Sequence, residues 1–234
     1  MPSRLDVIAL PTGEFTFPPG DPYAGLAGVV VAYAVRHSGG VFLFDTGFAQ
    51  PEPELDEFYG RWQVRIRSLP DVLAEAGILP AEVTAIANCH LHVDHAGQNA
   101  RFPDVPIYVQ PEEWAAAHEP DYTVATVFSF PGARFALIGG DHEVAPGIRL
   151  IATPGHSPGH QSLVLGSGAD PGHGPTLLAG QAVYTRGEWI GAPDAMEGAS
   201  SAQDVAAYRR SVARLRSLNP RRVLFGHDRR GWPS

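Results

Sequence analysis

The sequence predicts a single α/β domain over residues 1–234, with two sheet-rich halves and helices on the outside. Short apolar runs that end in turn residues recur along most of the chain, whereas helical periodicity is confined to a few segments. No internal repeat of solenoid length and no low-complexity linker interrupts this pattern. We therefore expect one domain rather than a repeat array or two tethered modules.

The predicted strands follow one another along the chain. The segment GVVVAYAVRHSGGVFLFDTG predicts a hairpin, because two apolar runs flank Ser38-Gly39-Gly40. The further strand patterns are AEVTAIANCH, VPIYVQ, GIRLIATPGH, HQSLVLG, PTLLAGQ and RRVLFGHD. The glycine-rich stretch GSGADPGHGPT lies between two of these patterns, which favours a hairpin loop over a domain boundary.

Three segments show helical patterns. Residues 70–76 and the segment PEEWAAAH both begin with a proline in the first turn. The clearest helix is predicted from about Ser201 to Leu218, where Ser201 and Asp204 resemble a capping box and Pro220 ends the pattern. Apolar residues recur there at steps of three and four and form one stripe: Val205, Tyr208, Val212, Leu215 and Leu218.

Composition limits the classes of partner. The chain has 234 residues, 44% of them hydrophobic, and a formal net charge of −8 without a basic stripe, which argues against a nucleic-acid partner. No apolar run is long enough to span a membrane, and the N-terminal segment lacks the apolar core of a secretory signal. The one cysteine, Cys89, cannot form an intrachain disulfide. These features predict a cytoplasmic protein.

Polar residues stand at or just past the ends of five predicted strands. They are Asp45, His90, His156, Gln181 and His227. Loops held at the end of a rigid sheet are a usual location for a functional site. We therefore expect these strands to deliver their polar side chains to the same edge.

The segment HLHVDH concentrates metal-binding chemistry in six residues. Neutral imidazoles bind zinc well, and a carboxylate lowers the local positive charge. His90 and His92 alternate, so both can point to one side of an extended segment, while Asp94 and His95 follow where the chain turns. One short segment can thus face two metal positions.

Taken in order, HLHVDHAGQN, TPGHSPGHQSL and FGHD resemble the metallo-β-lactamase superfamily, and within it the N-acyl homoserine lactonases, which are quorum-quenching enzymes. The resemblance covers most of the chain, from VFLFDTG to FGHD. It implies an αββα sandwich, with two mixed β-sheets flanked by helices. It also implies one or two zinc ions, with iron or manganese as alternatives. The ligands it implies are His90, His92 and His156 for one ion, and Asp94, His95 and His227 for the other.

The resemblance assigns roles to residues around the metals. Asp45 in FDTG would hold the ligand histidines by hydrogen bonds. Tyr184 in AVYT would donate a hydrogen bond to the lactone oxygen and stabilise the negative charge that develops there. Asp94 is the expected proton carrier. Phe48 and Tyr184 are the expected substrate-binding residues, and a wider set could form an apolar wall for an acyl chain: Phe15, Phe17, Phe48, Phe58, Trp62 and Trp114.

The sequence departs from the family at the metal-bridging aspartate, where it has Gln181. An aspartate gives two oxygens and a negative charge to cations about 3.5–4 Å apart. A glutamine gives one acceptor oxygen and no charge. Three interpretations stay open. His90, His92 and His156 could hold a single metal with an open position, two metals could bind with the second one weaker, or the protein could bind metal or ligand with little or no turnover.

The predicted function is that of a metal-dependent hydrolase, in which metal-activated hydroxide opens a lactone or a related ester ring. The alternatives are a weakly active or non-catalytic relative that binds metal or ligand, and a hydrolase of another ester or thioester. A thioesterase like glyoxalase II is disfavoured, because that enzyme carries a further helical region after its last histidine ligand and only seven residues follow His227. We expect a small-molecule substrate with an apolar acyl portion, and a monomer or homodimer.

Overall fold

The computed structural model describes residues 5–166 and 174–233, and the chain divides into two compact units. The first unit comprises the chain up to Ile107 together with Pro120–Arg134, and the second comprises Tyr108–Glu119 together with the chain from Phe135 onward. A single domain over residues 1–234 therefore stays a prediction. No helix in the described ranges has the length and apolar character that a membrane crossing requires.

The described residues form strands and helices with the following bounds. The strands are β1 (Asp6–Thr16), β2 (Ala27–His37), β3 (Gly40–Phe44), β4 (Arg65–Ile66), β5 (Val83–Ala87), β6 (Pro106–Val109), β7 (Arg134–Leu137), β8 (His142–Ala145), β9 (Ile148–Ala152), β10 (Gln161–Leu165), β11 (Thr176–Leu178) and β12 (Arg222–Leu224). The helices are α1 (Asp56–Trp62), α2 (Leu69–Glu75), α3 (Pro111–Ala116), α4 (Arg186–Ile190) and α5 (Val205–Ser217).

The first sheet has the strand order β4-β1-β2-β3-β5-β6-β7. The predicted hairpin is confirmed, since β2 and β3 pair antiparallel across Ser38 and Gly39. β3 and β5 are neighbours and run parallel, with Phe44 opposite Ala87. The chain continues from the ends of these two strands into Asp45 and Asn88, so both polar segments leave the sheet at the same end.

The second sheet has the strand order β12-β11-β10-β9-β8. β9, β10 and β11 pair antiparallel, and β11 and β12 run parallel. The carboxyl ends of β9, β11 and β12 therefore share one edge, which the predicted positions of His156, Gln181 and His227 require. Because each sheet contains parallel and antiparallel pairs, the α/β class with two mixed β-sheets is confirmed.

The longest helix is shorter than its sequence pattern predicted. α5 begins at Val205, and Asp204 is its N-cap, with a side-chain oxygen that accepts the backbone N–H of Ala207 at 2.9 Å. The predicted capping box is wrong, because Ser201 belongs to a preceding 3₁₀ turn in which its hydroxyl donates to the Gly198 carbonyl. The apolar stripe is confirmed except at Val205, which is exposed. Val212, Leu215 and Leu218 pack in the core of the second unit, with strand residues that include Leu177, Val223 and Phe225. Tyr208 is buried as well.

Six elements of the described residues were not predicted: β1, β4, β7, β8, α1 and α4. β1 was not predicted, because Pro11 and Gly13 interrupt its alternation, and the β1–β2 register shifts between these two residues. α1 was missed as well, since it buries none of its residues and so lacks an apolar stripe. Residues 167–173, most of the stretch GSGADPGHGPT, are outside the described ranges, although the flanking strands β10 and β11 pair antiparallel as a hairpin requires.

Candidate metal centre

The histidine segment of the first unit is fastened to the loop that follows β3. Three backbone hydrogen bonds join the two segments: Thr46 N–H donates to His95 O at 2.7 Å, Ala49 N–H to Val93 O at 2.8 Å, and Gly97 N–H to Gly47 O at 2.9 Å. Residue 97 must be glycine, because a Cβ there would overlap the backbone of Ala49. The sequence order HLHVDHAG thus folds into a turn with a fixed path.

Asp45 orients this segment through both of its carboxylate oxygens. Oδ1 accepts the backbone N–H of Cys89 at 2.7 Å, and Oδ2 lies 2.9 Å from Nδ1 of His95. Both groups are almost fully buried. A carboxylate only accepts hydrogen bonds, so Nδ1 of His95 carries a proton, while Nε2 faces Asp94, whose Oδ2 lies 3.4 Å away. This is how proteins commonly fix the tautomer of a metal-binding histidine.

The predicted ligands of the first unit lie side by side. One ligand atom each from His90, Asp94 and His95 fall within 4.8 Å of one another. Nε2 of His90 lies 2.9 Å from Nδ1 of His92. Burial lowers the pKa of His92 to about 4, an effect that outweighs the opposing attraction of Asp94. The ring is therefore neutral at physiological pH, which is the form that binds a metal.

Three buried polar residues that support this loop were not predicted from the sequence. The carbonyl of His95 accepts hydrogen bonds from Asn88 Nδ2 at 3.2 Å and from Thr46 Oγ1 at 3.3 Å. Asn99 joins the two donors, since its Nδ2 donates to Asn88 Oδ1 at 2.9 Å and its Oδ1 accepts from Thr46 at 3.0 Å. The available signal was that both asparagines flank the histidine segment, at its start and just beyond its turn.

A cavity of about 690 Å³ opens beside His92 and Asp94 within the first unit. The Tyr122 ring packs against His92, with 4.7 Å between ring centroids. Leu55, Phe58 and Val93 supply apolar walls. The lining also contains polar and charged residues: Glu52, Glu54, Asp121, Thr123 and Thr126. A cavity of this volume accommodates a small organic molecule.

Most aromatic residues proposed for an acyl wall are packed against one another instead. Phe15 contacts Phe17, Phe48 and Trp62 edge-on, with ring centroids 5.1 to 6.3 Å apart. Phe48 is 2% exposed and is not among the residues that line the cavity, whereas Phe58 is. Trp114 belongs to the second unit, where it packs on Phe135. The role of Phe48 in substrate binding stays a prediction.

In the second unit, His156 lies on a loop clamped along the start of α5. The carbonyls of Pro154, Gly155 and His156 accept hydrogen bonds from Ser211 Oγ at 2.7 Å, Asp204 N–H at 2.9 Å and Gln203 N–H at 3.3 Å. On the other side of the loop, the buried carboxylate of Glu113 accepts the hydroxyl of Ser157 at 2.6 Å and the N–H of Gly159 at 3.2 Å. Glu113 was not predicted, because nothing in PEEWAAAH distinguishes it from an exposed helix residue.

Gln181 follows β11 and is held through its backbone by a buried chain of hydrogen bonds. Its N–H donates to Nε2 of His160 at 2.9 Å, so the proton of this ring is on Nδ1 and donates to Thr153 Oγ1 at 2.9 Å. The chain continues to Ser162 Oγ and then to the carbonyl of Ala179. His160 is therefore neutral, because one ring nitrogen accepts and the other donates.

The Gln181 side chain ends in an acceptor that lacks a donor. The residue is 7% exposed, and its Oε1 is buried with no hydrogen-bond partner among the described residues. An unsatisfied buried amide oxygen is costly, and a cation is one group that satisfies it. The donor set at this position thus fits a metal, although the oxygen carries no formal charge.

Tyr184 and His227 are brought together in the second unit. Their rings are stacked, with centroids 4.4 Å apart and an interplanar angle of 24°. His227 follows β12 and Gln181 follows β11, and Gly226 N–H donates to Gly180 O at 3.2 Å between the two loops. The predicted site residues of this unit therefore all leave one edge of its sheet.

Comparisons with known proteins agree with this chemistry. Residues 25–227 match the family model described as the metallo-beta-lactamase superfamily. The N-acyl homoserine lactonase AiiA of Bacillus thuringiensis subsp. kurstaki is 32% identical over 212 residues, which cover 85% of this chain and 81% of that protein. The N-acyl homoserine lactonase AttM of Azorhizobium caulinodans is 36% identical over 174 residues, or 68% of this chain and 63% of that protein.

Solved structures extend the similarity to the fold. A quorum-quenching N-acyl homoserine lactone lactonase superposes with a TM-score of 0.78 and 28% identity, covering 98% of this chain and 94% of its own. AidC, described as a dizinc quorum-quenching lactonase, has a TM-score of 0.72 at 17% identity, with 100% of this chain and 90% of its own covered, and this likeness concerns the fold alone.

Proposed function

Because the chain belongs to the metallo-β-lactamase superfamily, we propose that it is a metal-dependent hydrolase that opens N-acyl homoserine lactones or related cyclic esters. The observation that carries the proposal is the cluster of His90, Asp94 and His95, whose ligand atoms lie within 4.8 Å of one another in a chain 32% identical to N-acyl homoserine lactonases. A hydrolase of this superfamily requires such a cluster of metal ligands.

The residues proposed to hold the metals are those that the sequence predicted. His90, His92 and His156 would hold one divalent ion, and Asp94, His95 and His227 the other. The neutral His92, the Asp45-oriented His95 and the unpartnered Oε1 of Gln181 support this assignment. When bound, zinc or a similar ion supplies Lewis acidity and lowers the pKa of water to about 7.

Two side chains would act directly on the substrate. Asp94 lines the cavity and its side chain is 20% exposed, so it can take a proton from the attacking water and deliver it to the ring oxygen that leaves. The Tyr184 hydroxyl would donate a hydrogen bond to the carbonyl oxygen, whose negative charge grows as the carbonyl carbon becomes tetrahedral. Stacking on His227 limits the rotation of the Tyr184 ring.

The substrate is proposed to be a small molecule with an apolar acyl portion. Leu55, Phe58 and Val93 of the cavity beside Asp94 offer apolar surface for such a chain. A solved relative is described with the product N-hexanoyl-L-homoserine bound at its catalytic metal centre. N-hexanoyl-homoserine lactone is therefore a rational first substrate to assay.

Gln181 determines how many ions the centre retains. Without an anion between them, two dications repel each other more strongly, so we expect the second ion to bind more weakly than it would beside an aspartate. If a single ion is retained, Asp94 is free to act as the general base. A second candidate function, a binding protein that no longer turns over, is favoured by the same loss of a bridging charge.

Metal counting and a hydrolysis assay test the proposal together. We expect purified wild-type protein to contain one to two divalent ions per chain by elemental analysis and to open N-hexanoyl-homoserine lactone. Gln181→Asp should raise the count towards two, because it restores an anionic ligand. His90→Ala is the inactive control. Metal-loaded wild type that does not exceed this control on any lactone or ester would refute the hydrolase and leave the binding protein.

A further inference from the structure

A half-buried carboxylate of the second unit connects Tyr184 to α5. Glu188 lies in α4, and its Oε2 accepts the backbone N–H of Tyr184 at 2.6 Å. Its Oε1 accepts the hydroxyl of Tyr208, a residue of α5, at 2.7 Å. The same carboxylate also accepts a backbone hydrogen bond from Gly198. A charged acceptor makes such hydrogen bonds stronger than neutral ones.

Tyr208 is in turn packed against the loop that carries His156. A Cβ on Gly155 would overlap the backbone N and Cα of Tyr208, so this loop and α5 meet at main-chain distance. Asp204, four residues before Tyr208, donates its N–H to the Gly155 carbonyl at 2.9 Å. Gly198 lies directly against the phenol, because a Cβ at that position would overlap the Tyr208 hydroxyl.

The Tyr208 hydroxyl interacts with both the Glu188 carboxylate and the Tyr184 backbone. The residue is 2% exposed, and its hydroxyl faces the Glu188 carboxylate. Burial, with the nearby charge of Glu188, raises the pKa of this phenol well above its ordinary value, so the hydroxyl keeps its proton and remains a donor at physiological pH. Nothing in the predicted ligand set or in the proposed mechanism uses Tyr208 or Glu188.

We propose that Tyr208 and Glu188 are positioning residues that fix the Tyr184 backbone relative to the His156 loop. This inference rests on the proposed function, because Tyr184 is there the group that contacts the substrate carbonyl. α5 is thereby a common support for two parts of the site: its first turns hold the His156 loop, and Tyr208 holds Tyr184 through Glu188. A displacement of a positioned group by a fraction of an ångström is enough to lower a catalytic rate.

The test compares Tyr208→Phe with Tyr33→Phe, which removes a hydroxyl from an equally buried tyrosine of β2 in the first unit. We expect Tyr208→Phe to lower kcat on N-hexanoyl-homoserine lactone about tenfold and to leave KM within about twofold. Bound metal per chain should not change. Tyr33→Phe should keep wild-type kinetics.

A double-mutant cycle separates positioning from general stabilisation. In a Tyr184→Phe background, Tyr208→Phe should change kcat by less than about twofold, because the group that it positions has lost its hydroxyl. If Tyr208→Phe costs the same factor in both backgrounds, or costs nothing in the wild type, the inference is wrong. The kcat loss should also persist well below the melting temperature of each variant.

Hydrogen exchange decides the inference even if no lactone is hydrolysed. In that case the proposed function fails, yet the Tyr184 amide still donates to Glu188 and can be followed by NMR. We expect this amide to exchange about tenfold faster in Tyr208→Phe than in the wild type or Tyr33→Phe. Equal exchange in all three proteins would show that Tyr208 does not hold Tyr184.

Discussion

The two units arrange their polar residues in different ways. In the first unit the predicted ligands His90, His92, Asp94 and His95 come from one turn of six residues, and a charged group, Asp45, orients it. In the second unit the predicted site residues come from three separate strand ends, and each loop has a different support. His160 accepts the Gln181 N–H, and the loop of His227 donates the Gly226 N–H to Gly180. The His156 loop is held between the start of α5 and the carboxylate of Glu113.

This difference predicts how the polar residues of each unit respond to substitution. The histidine turn is fastened by many hydrogen bonds to one neighbouring segment, the loop after β3, so a substitution of a single ligand there should act on metal binding more than on folding. Loops from distant strands keep their spacing only while the sheet and the helix beside them are intact. Substitutions in the second unit should therefore affect stability and the site together.

The largest effect is expected at His90, which lies close both to His92 and to the pair of Asp94 and His95. We expect His90→Ala to lower metal content to less than one ion per chain and lactone hydrolysis by more than about 100-fold, which exceeds the usual effect of removing a supporting residue. His142→Ala removes an exposed histidine of β8 and serves as the control. Full metal content in His90→Ala would contradict the role of this turn.

A substitution of Asp45 tests whether metal binding by the first unit depends on the negative charge of this carboxylate. Asp45→Asn keeps the size of the side chain but removes an acceptor from either His95 or Cys89, so we expect metal affinity to fall by about 10–100-fold with little loss of stability. Competition with a chelator measures the affinity. Asp6→Asn makes the same change of charge at an exposed position of β1 and should bind metal as the wild type does. Equal affinities would mean that Asp45 is only a turn residue.

A loss of stability is expected at Gly155, where α5 and the His156 loop are in contact. Gly155 has a φ of +141°, and an added Cβ would overlap Tyr208, so Gly155→Ala should lower the free energy of unfolding by about 2–4 kcal/mol. Gly60→Ala is the matched control, because Gly60 lies within α1 with open space around it. That substitution should raise stability by about 0.5–1 kcal/mol. Denaturant unfolding measures both, and a neutral Gly155→Ala would remove the contrast between the units.

The elements that the sequence predicted are those with strong local signals. The β2–β3 hairpin has two apolar runs around Ser38 and Gly39, and the predicted ligands stand directly after apolar strands. Both patterns can be recognised from neighbouring residues alone. β1 lacked such a signal, because Pro11 and Gly13 fall within the strand and are ordinarily found in turns.

The residues that support the site loops could not be predicted, because their hydrogen-bond partners are distant in sequence. Glu113 and Ser157 are 44 residues apart in sequence, and Tyr208 and Glu188 are 20 apart. Each partner is unremarkable in its own segment, and the pairing exists only after the chain has folded. The start of α5 was predicted wrongly for another reason. Ser201 and Asp204 are both residue types that cap helices, and they are three residues apart. In the structure Asp204 is the cap, while Ser201 belongs to the preceding 3₁₀ turn.

Gly97 has a consequence for chimeras of this protein with its relatives. Because its backbone lies against Phe48 and Ala49, the histidine turn and the loop after β3 have complementary main-chain shapes. A hybrid that takes one of these segments from a homologue and keeps the other would mismatch them, even with every histidine conserved. Crossover points that transfer both segments from the same parent should give folded hybrids more often.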